Sequence, residues 1–310
     1  MAHKILFDTD PGVDDAMALL FALASPELEL LGVTTVFGNS TVEQTTRNAQ
    51  HVLEVGGRPD VPVVAGAGQP LARPRGRKSS VHGDDGLGNI GLPPSNREPV
   101  AWQGGAAGFI AETILAHPGK VTLVAVAPLT NLAQAVQQTP AIAAAVRRVI
   151  VMGGAVFRPG NVSPVAEANF HNDPEAARVV LGAGWPVTLV GLDVTMRTIM
   201  SDAYLDDLAR LGRPATDFLA RIWPVYRKAY HTRYALNGIP THDPSALAAA
   251  IDPTLFHTQR LPLFVEVEGR CAGQTVADPY RLWAPLPEVE VCTDVDSARL
   301  LALFRSRMAG

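Results

Sequence analysis

The 310-residue chain predicts an α/β fold with an open, mostly parallel sheet flanked by helices. Two observations carry that expectation. Near-continuous apolar runs such as "VTLVAVA" at Val121–Ala127 and "VTLV" at Val187–Val190 have the pattern of strands buried on both faces. They alternate with longer stretches of helical periodicity, the signature of parallel strands joined by helical crossovers. A third observation suggests where function sits. Asp8, Asp10, Asp14 and Asp15 crowd the end of the first apolar run, and ligands of such sheets bind outside the carboxyl ends of the strands.

In chain order, Lys4–Phe7 reads as a strand and Val13–Leu23 as an apolar helix. Leu28–Val36 ("LELLGVTTV") is β-rich, and Val42–Val55 returns to helical periodicity. Further strands are expected at Val61–Ala65, Val121–Ala127, Val149–Met152 and Val187–Val190, with helices at Phe109–Ala116, Leu132–Gln138, Pro174–Gly182 and Asp202–Leu211. Two segments break the alternation. Arg73–Pro99 is rich in glycine, proline and charge and contains "VHGDDGLGNIGLPP"; a loop of that length is usually functional or mobile. Ala215–Leu236 is helix-compatible and carries Trp223, Tyr226, Tyr230 and Tyr234. With no internal repeat and no low-complexity linker, residues 1–310 are expected to form one domain.

Composition is that of an ordinary globular protein, 47% apolar and 18% charged. The 26 basic and 30 acidic residues leave a formal charge of −4, which gives no electrostatic reason to expect nucleic acid. No run approaches the ~20 apolar residues of a spanning helix, and Lys4–Phe7 already reads as structure rather than as a signal segment. Cys271 and Cys292 have no metal or redox spacing. A soluble, cytoplasmic protein without a membrane partner is the expectation.

Each aspartate has a structural reading. Asp-Pro pairs cap helices, and this chain has five, at Asp10, Asp173, Asp243, Asp252 and Asp278. Asp14 and Asp15 suit the first turn of a helix. One cap needs one carboxylate, however, and here four crowd a single strand end. Like charges packed so closely call for compensation, and a hard divalent cation such as calcium, which takes several carboxylate and carbonyl oxygens, would turn the repulsion of Asp10 and Asp15 into coordination energy. A second strand end, "LNGIPTHDPSAL", supplies the pair His242–Asp243; a histidine there is suited to proton transfer near neutral pH, or to an ordinary position beside a cap. Asn39 in "VFGNST", Met152 in "VMGGA", and Asn161, Glu167 and Asn169 in "GNVSPVAEANFHNDPEAA" also fall at strand ends or glycine-rich turns. Singly they read as turn formers; jointly, their paired donors and acceptors suit hydroxyl recognition.

"DTDPGVDDAMAL" resembles the N-terminal signature of the nucleoside hydrolases, the inosine-uridine preferring family. The likeness continues in order through "TTVFGNST", "VHGDDGLG", "LTNLA", "VMGGA", "NVSPVAEANFHNDPEAA" and "THDPSALAA", from about Ile5 to Ala250. The resemblance implies calcium-dependent hydrolysis of the N-glycosidic bond of purine or pyrimidine ribonucleosides to base and ribose. It implies a calcium ion held by Asp10, Asp15, Asp243 and a backbone carbonyl that maps to Val126, with Asp10 as the base for a calcium-bound water. Asp14, Asn39, Asn161, Glu167 and Asn169 would hold the ribose hydroxyls. His242 matches the leaving-group acid of purine-handling members and His82 a position contacting the base. Nucleoside salvage and a homo-oligomer, dimer or tetramer, would follow.

Two departures bear on substrate preference. The family's usual "EFN" is "EAN" here, so Ala168 removes an aromatic wall beside the sugar. The segment carrying Trp223 to Tyr234 does not align with the family pattern, and base selectivity would be set there. Two other readings start from the same residues. A haloacid-dehalogenase-like phosphatase would use Asp8 as nucleophile, but needs a lysine, and Lys4, Lys78, Lys120 and Lys228 are poorly placed. A non-catalytic ribose or nucleoside sensor would keep the calcium site without needing a base.

Overall fold

The six apolar runs expected as strands between Lys4 and Val190 enter one sheet. The computed structural model describes residues 2–76, 80–93, 97–283 and 285–310. Strands β1 (His3–Thr9), β2 (Leu28–Thr35), β3 (Val63–Ala65), β4 (Val121–Ala125), β5 (Arg148–Met152) and β6 (Val187–Val190) pair in parallel, with β1 between β2 and β4. The full sheet has nine strands in the order β10-β9-β11-β6-β5-β4-β1-β2-β3, adding β9 (Phe256–Val265), β10 (Thr275–Ala277) and β11 (Glu288–Val295) at one side. β11 is parallel to β6, whereas β9 runs antiparallel to both of its neighbours. The sheet is thus mixed and mostly parallel.

Alternation along β1 feeds two cores. Ile5 and Phe7 point into one and Leu6 into the other, all fully buried. The first core takes α1 (Val13–Leu23), α2 (Val42–Val55), α10 (Pro214–Tyr234), α11 (His242–Ile251) and α12 (Ser297–Ala309). The second takes α3 (Gly105–Ala116), α4 (Thr130–Gln138) and α7 (Pro174–Leu181). After Asp14 and Asp15 in its first turn, helix α1 is apolar all round, and every residue from Val13 to Ala22 is buried, as expected of a helix with no solvent face. Short helices α5 (Ile142–Ala145), α6 (Ala168–Asn172) and α8 (Leu192–Thr195), together with α9 (Asp202–Ala209), complete the set.

The strand expected ahead of His242 is β8 (Gly238–Pro240), which pairs with β7 (Ile199–Ser201) in a separate two-stranded sheet. It is therefore not a strand end of the main sheet; α11 reaches the site by packing on α1 and β5. The Arg73–Pro99 segment carries no helix or strand among its described residues; 77–79, including Lys78, and 94–96 lie outside them. No helix among the described residues is long and apolar enough to cross a membrane. Both cysteines are free, Cys292 buried and Cys271 exposed.

Candidate active site

Four adjacent strands, β2, β1, β4 and β5, end at one place. Asp10 follows β1, Asn39 lies beyond β2, Val126 follows β4 and Met152 closes β5. Two glycines permit the close approach of these segments. A Cβ on Gly12 would lie 2.6 Å from His82 Nδ1 and 2.7 Å from Asn39 Nδ2, and one on Gly38 would lie 1.9 Å from Asp10 Oδ2.

The aspartates divide their work. Asp8 is a β1 residue with no exposure; its Oδ1 accepts from Thr34 Oγ1 and from Asn131 Nδ2, tying β1 to β2 and α4. Its Oδ2 is buried without a partner, and with no exposure Asp8 is not an accessible phosphatase nucleophile. Asp15, the third residue of α1, reaches back to the backbone N–H of the N-cap Gly12 and also bonds neighbouring residues at the strand end. Its Oδ1 accepts from Thr9 Oγ1 at 2.6 Å and Asp10 N at 3.2 Å, and its Oδ2 from Gly12 N at 2.9 Å and Asn39 Nδ2 at 3.0 Å. Asp10 Oδ2 accepts from Asn39 N, and Asp14 Oδ2 from the Tyr226 hydroxyl at 2.8 Å. Asp10 Oδ1 and Asp14 Oδ1 are buried with no hydrogen-bond partner.

Carboxylate oxygens of Asp14, Asp15 and Asp243 lie within 4.8 Å of one another. This trio differs from the expected ligand set: Asp14 belongs to it, while Asp10 stands outside, one oxygen turned to the Asn39 amide. Burial, reinforced by neighbouring aspartates, holds the Asp10 and Asp243 carboxyls well above the ordinary carboxylate range. Burial also raises Asp15, and it moves Asp14 to about 6 against the hydrogen bond from Tyr226. Orphaned hard oxygens on a buried, mutually repelling cluster are what a divalent cation satisfies, so the donor set fits one.

Opposite the aspartates stands a wall from the loop after β5. Glu167 caps α6: its carboxylate accepts from Asn169 N, Phe170 N and Gly154 N, and burial raises it to about 7. Asn161 Oδ1 accepts from Ala168 N at 3.0 Å, leaving its amide N–H groups available. Asn169 Nδ2 donates to the carbonyls of Val126 at 3.0 Å and Met152 at 3.1 Å, leaving its Oδ1 to accept. In Asn161 and Asn169 the atoms used for local structure differ from those left available, whereas both oxygens of Glu167 already accept backbone N–H groups.

The third wall is aromatic. Tyr226, Tyr230 and Tyr234 recur every four residues on α10 and form a row, with ring centroids 4.8 and 5.6 Å apart. The Tyr230 hydroxyl lies 2.7 Å from His242 Nε2, and Thr195 Oγ1 lies 2.8 Å from His242 Nδ1. Burial lowers His242 to about 3, so it is a neutral imidazole held between two hydroxyls. His82 Nδ1 accepts from Val13 N at 3.1 Å; that nitrogen therefore carries no proton, and its 3.6 Å approach to Asp14 is no ion pair. Burial accordingly lowers His82 to about 4.

These walls enclose an inner chamber of about 60 Å³ lined by Asp14, Asn39, His82, Val126, Met152, Asn161, Glu167, Ala168, Asn169, Tyr226, Tyr230, His242 and Asp243. It opens into a 450 Å³ vestibule. Thus the expected site residues other than Asp10 and Asp15 line one cavity, and those two are tied to it through their hydrogen bonds from Asn39. Sequence reasoning missed the hydrogen-bonding roles of Thr9, Thr195, Tyr226 and Tyr230. The four-residue tyrosine spacing was the available signal for the last two; Thr9 and Thr195 had none.

Residues 5–302 match the model of the family described as inosine-uridine preferring nucleoside hydrolase. Uridine nucleosidase 1 of Arabidopsis thaliana is 41% identical over 317 residues, covering 99% of this chain and 93% of that protein. The inosine-uridine preferring nucleoside hydrolase of Leishmania major is also 41% identical, covering 90% of this chain and 88% of the relative. Among solved structures, a plant nucleoside hydrolase superposes with a TM-score of 0.96 at 36% identity, covering 100% of both chains. A purine-preferring ribonucleoside hydrolase from Gardnerella vaginalis does so at 0.93, also at 36% identity, covering 99% of this chain and 98% of that one. The chain belongs to the inosine-uridine preferring nucleoside hydrolase family.

Proposed function

We propose that the protein hydrolyses the N-glycosidic bond of ribonucleosides to free base and ribose, with calcium bound at the strand-end carboxylates. The observation that carries this reading is the pair of buried, unpartnered oxygens, Asp10 Oδ1 and Asp14 Oδ1, beside a chamber whose remaining walls offer amides, hydroxyls and aromatic rings. Relatives named for uridine and for purines have comparable identities, so both base classes are included.

Asp15 and Asp243, two of the three clustered carboxylates, would hold the ion together with Asp10 and the Val126 carbonyl; Asp14, the third, whose Oδ2 is already bound by Tyr226, would grip the sugar diol with its unpartnered Oδ1. When bound, calcium supplies positive charge that acidifies water and orients vicinal hydroxyls. The chain's own residues do the rest. N-glycoside cleavage passes through an oxocarbenium-like sugar. Asp10, whose Oδ1 is spoken for by no protein donor, takes the proton of the attacking water. Asn39, Asn161, Glu167 and Asn169 fix the ribose so that water faces the anomeric carbon, with Met152 forming part of the floor. The departing base lies against His82 and the tyrosine row. His242, a neutral imidazole in the free protein, would gain a proton from solvent once substrate is bound. The resulting imidazolium, hydrogen-bonded to Tyr230, would pass that proton to a departing purine so that it does not leave as an anion.

His242→Ala is therefore expected to lower kcat on inosine by ~10²-fold or more, the usual scale for general acid catalysis. Activated arylribosides, whose leaving groups need no proton, should lose far less. Steady-state kinetics on both substrates check this, and equal losses would assign His242 to positioning alone. For the function itself, base and reducing sugar should appear in equal amounts from uridine or inosine. A tight stoichiometric complex without sugar release would instead favour a nucleoside sensor.

The same proposal places the protein in the cytoplasm, in nucleoside salvage, as a homo-oligomer of a one-domain chain. The two free cysteines accord with a reducing compartment.

A further inference from the structure

The motif "VHGDDGLG" brings one residue, His82, to the lining of the chamber. Its other residues brace the turn that carries this histidine. Gly88 N donates to the His82 carbonyl at 2.9 Å. Asp85 Oδ1 accepts from Leu87 N and Asn89 N, and Asn89 Oδ1 accepts in return from Asp84 N and Asp85 N. Leu87 is buried in the core with no exposure. Gly88 lies so close to α10 that a Cβ there would stand 2.5 Å from the Ile222 carbonyl oxygen. Residues 82–89 therefore move as one body or not at all.

A side chain outside the turn joins it to the β1 strand end. Asn48 of α2 is 1% exposed. Its Nδ2 donates to Pro11 O at 2.9 Å and to Asp85 O at 2.8 Å, while its Oδ1 accepts from Gln44 Nε2 at 2.9 Å. Both neighbours of Nδ2 are carbonyl acceptors, so the nitrogen end of the amide faces them and spends both hydrogens there. Pro11 follows Asp10 directly, and Asp85 belongs to the His82 turn. One amide thus spans the acidic wall and the wall that meets the base. Gly86 makes room for it: its backbone is left-handed (φ +83°), and a Cβ would lie 2.9 Å from Asn48 Nδ2 and 3.0 Å from Pro11 O. His82 closes the same junction from its own side, accepting from Val13 N at 3.1 Å through Nδ1. Because the turn is braced internally, where Asp85 is held decides where the imidazole stands. A displacement of ~1 Å at such a distance from the chemistry is enough to lower rates severely.

Resting on the hydrolase reading above, we propose that Asn48 is a positioning residue for base recognition, acting through His82, which it holds in place against the β1 strand end. The test compares kcat/KM on inosine for the wild type, Asn48→Ala, His82→Ala and the double variant. Asn48→Ala alone should lower it by at least about fivefold, the scale of unsatisfying buried carbonyls. That loss should shrink by at least about threefold in the His82→Ala background, where the ring it positions is gone; independent sites multiply instead. A merely structural role, such as a smaller folded fraction, multiplies equally into both backgrounds. Missing either threshold overturns the proposal. Asn48→Ser, which keeps one donor, replaces the alanine variant if that does not fold. If the wild type cleaves neither inosine nor uridine, the hydrolase reading fails instead. The same cycle, run on calorimetric dissociation constants for inosine, then decides the role of Asn48 separately.

Discussion

Asp10→Asn is expected to fold, to keep a calcium-dependent thermal shift that is reduced by the loss of one carboxylate oxygen, and to lose turnover by ~10²–10⁴-fold, the range assigned to a positioned general base. The reasoning is atomic. Asp10 Oδ2 accepts from the Asn39 amide, a bond that an asparagine carbonyl oxygen preserves. Its other oxygen has no protein donor, so the substitution removes a basic oxygen there and leaves the packing of Gly38 and Asn39 as it was. Removing one charge from a cluster of buried aspartates also relieves repulsion, so the variant should be no less stable without calcium than the wild type. Thermal melts with and without calcium, beside steady-state kinetics, check both halves. Near-wild-type turnover would take Asp10 out of the mechanism.

The second large effect concerns the cluster as a whole. Burial raises Asp10, Asp15 and Asp243, and raises Asp14 from 3.8 to about 6. A carboxyl whose folded pKa exceeds its unfolded value favours the fold when protonated; that contribution is complete below the unfolded value and is lost as pH rises through the folded one. The calcium-free protein should therefore lose stability as pH rises from about 4 past about 6. Calcium competes with those protons and replaces their compensation. The gain in Tm on adding calcium should thus be small at pH 5 and largest near pH 8. At 100 times its Kd, a ligand contributes ~2.7 kcal/mol, which corresponds to several degrees. A calcium shift independent of pH would contradict the assignment of this cluster as the metal site.

The five Asp-Pro pairs explain how far the site was legible in the sequence. Asp173 caps α7, with one oxygen accepting from Ala176 N and the other from Leu71 N and Thr130 Oγ1. Asp252 caps the turn at Pro253–Leu255, and Asp278 accepts from Leu282 N and Trp283 N in a loop. Only Asp10 and Asp243 come to the site. The dipeptide encodes a local conformation, and which pair faces a cavity is decided by sheet order, a long-range property. Asp14 illustrates the same limit from the other side. Its place in the first turn of α1 was readable, but the bond that orients it comes from Tyr226, 212 residues away.

Fold legibility followed burial. The inner strands β4, β5 and β6 are mostly apolar because helices cover both faces, with Thr122, Arg148 and Thr188 the polar exceptions, and all were readable. β9, second from the edge, mixes exposed and buried positions, and β7 and β8 have three residues each; none offers a run or a period to detect. The tyrosine row was visible as a composition and spacing on α10, but its hydroxyl partners, Asp14 and His242, emerge only from tertiary packing.

The central claim is that a calcium ion at the β1 strand end, with Asp10 beside it, drives release of ribose. Its most direct test is the rate of reducing-sugar release from uridine and inosine by one preparation, assayed as purified, after prolonged chelation, and after calcium is returned. The account predicts release that disappears with chelation and returns with calcium, while the chelated protein remains folded. Undiminished release from the chelated protein would contradict it.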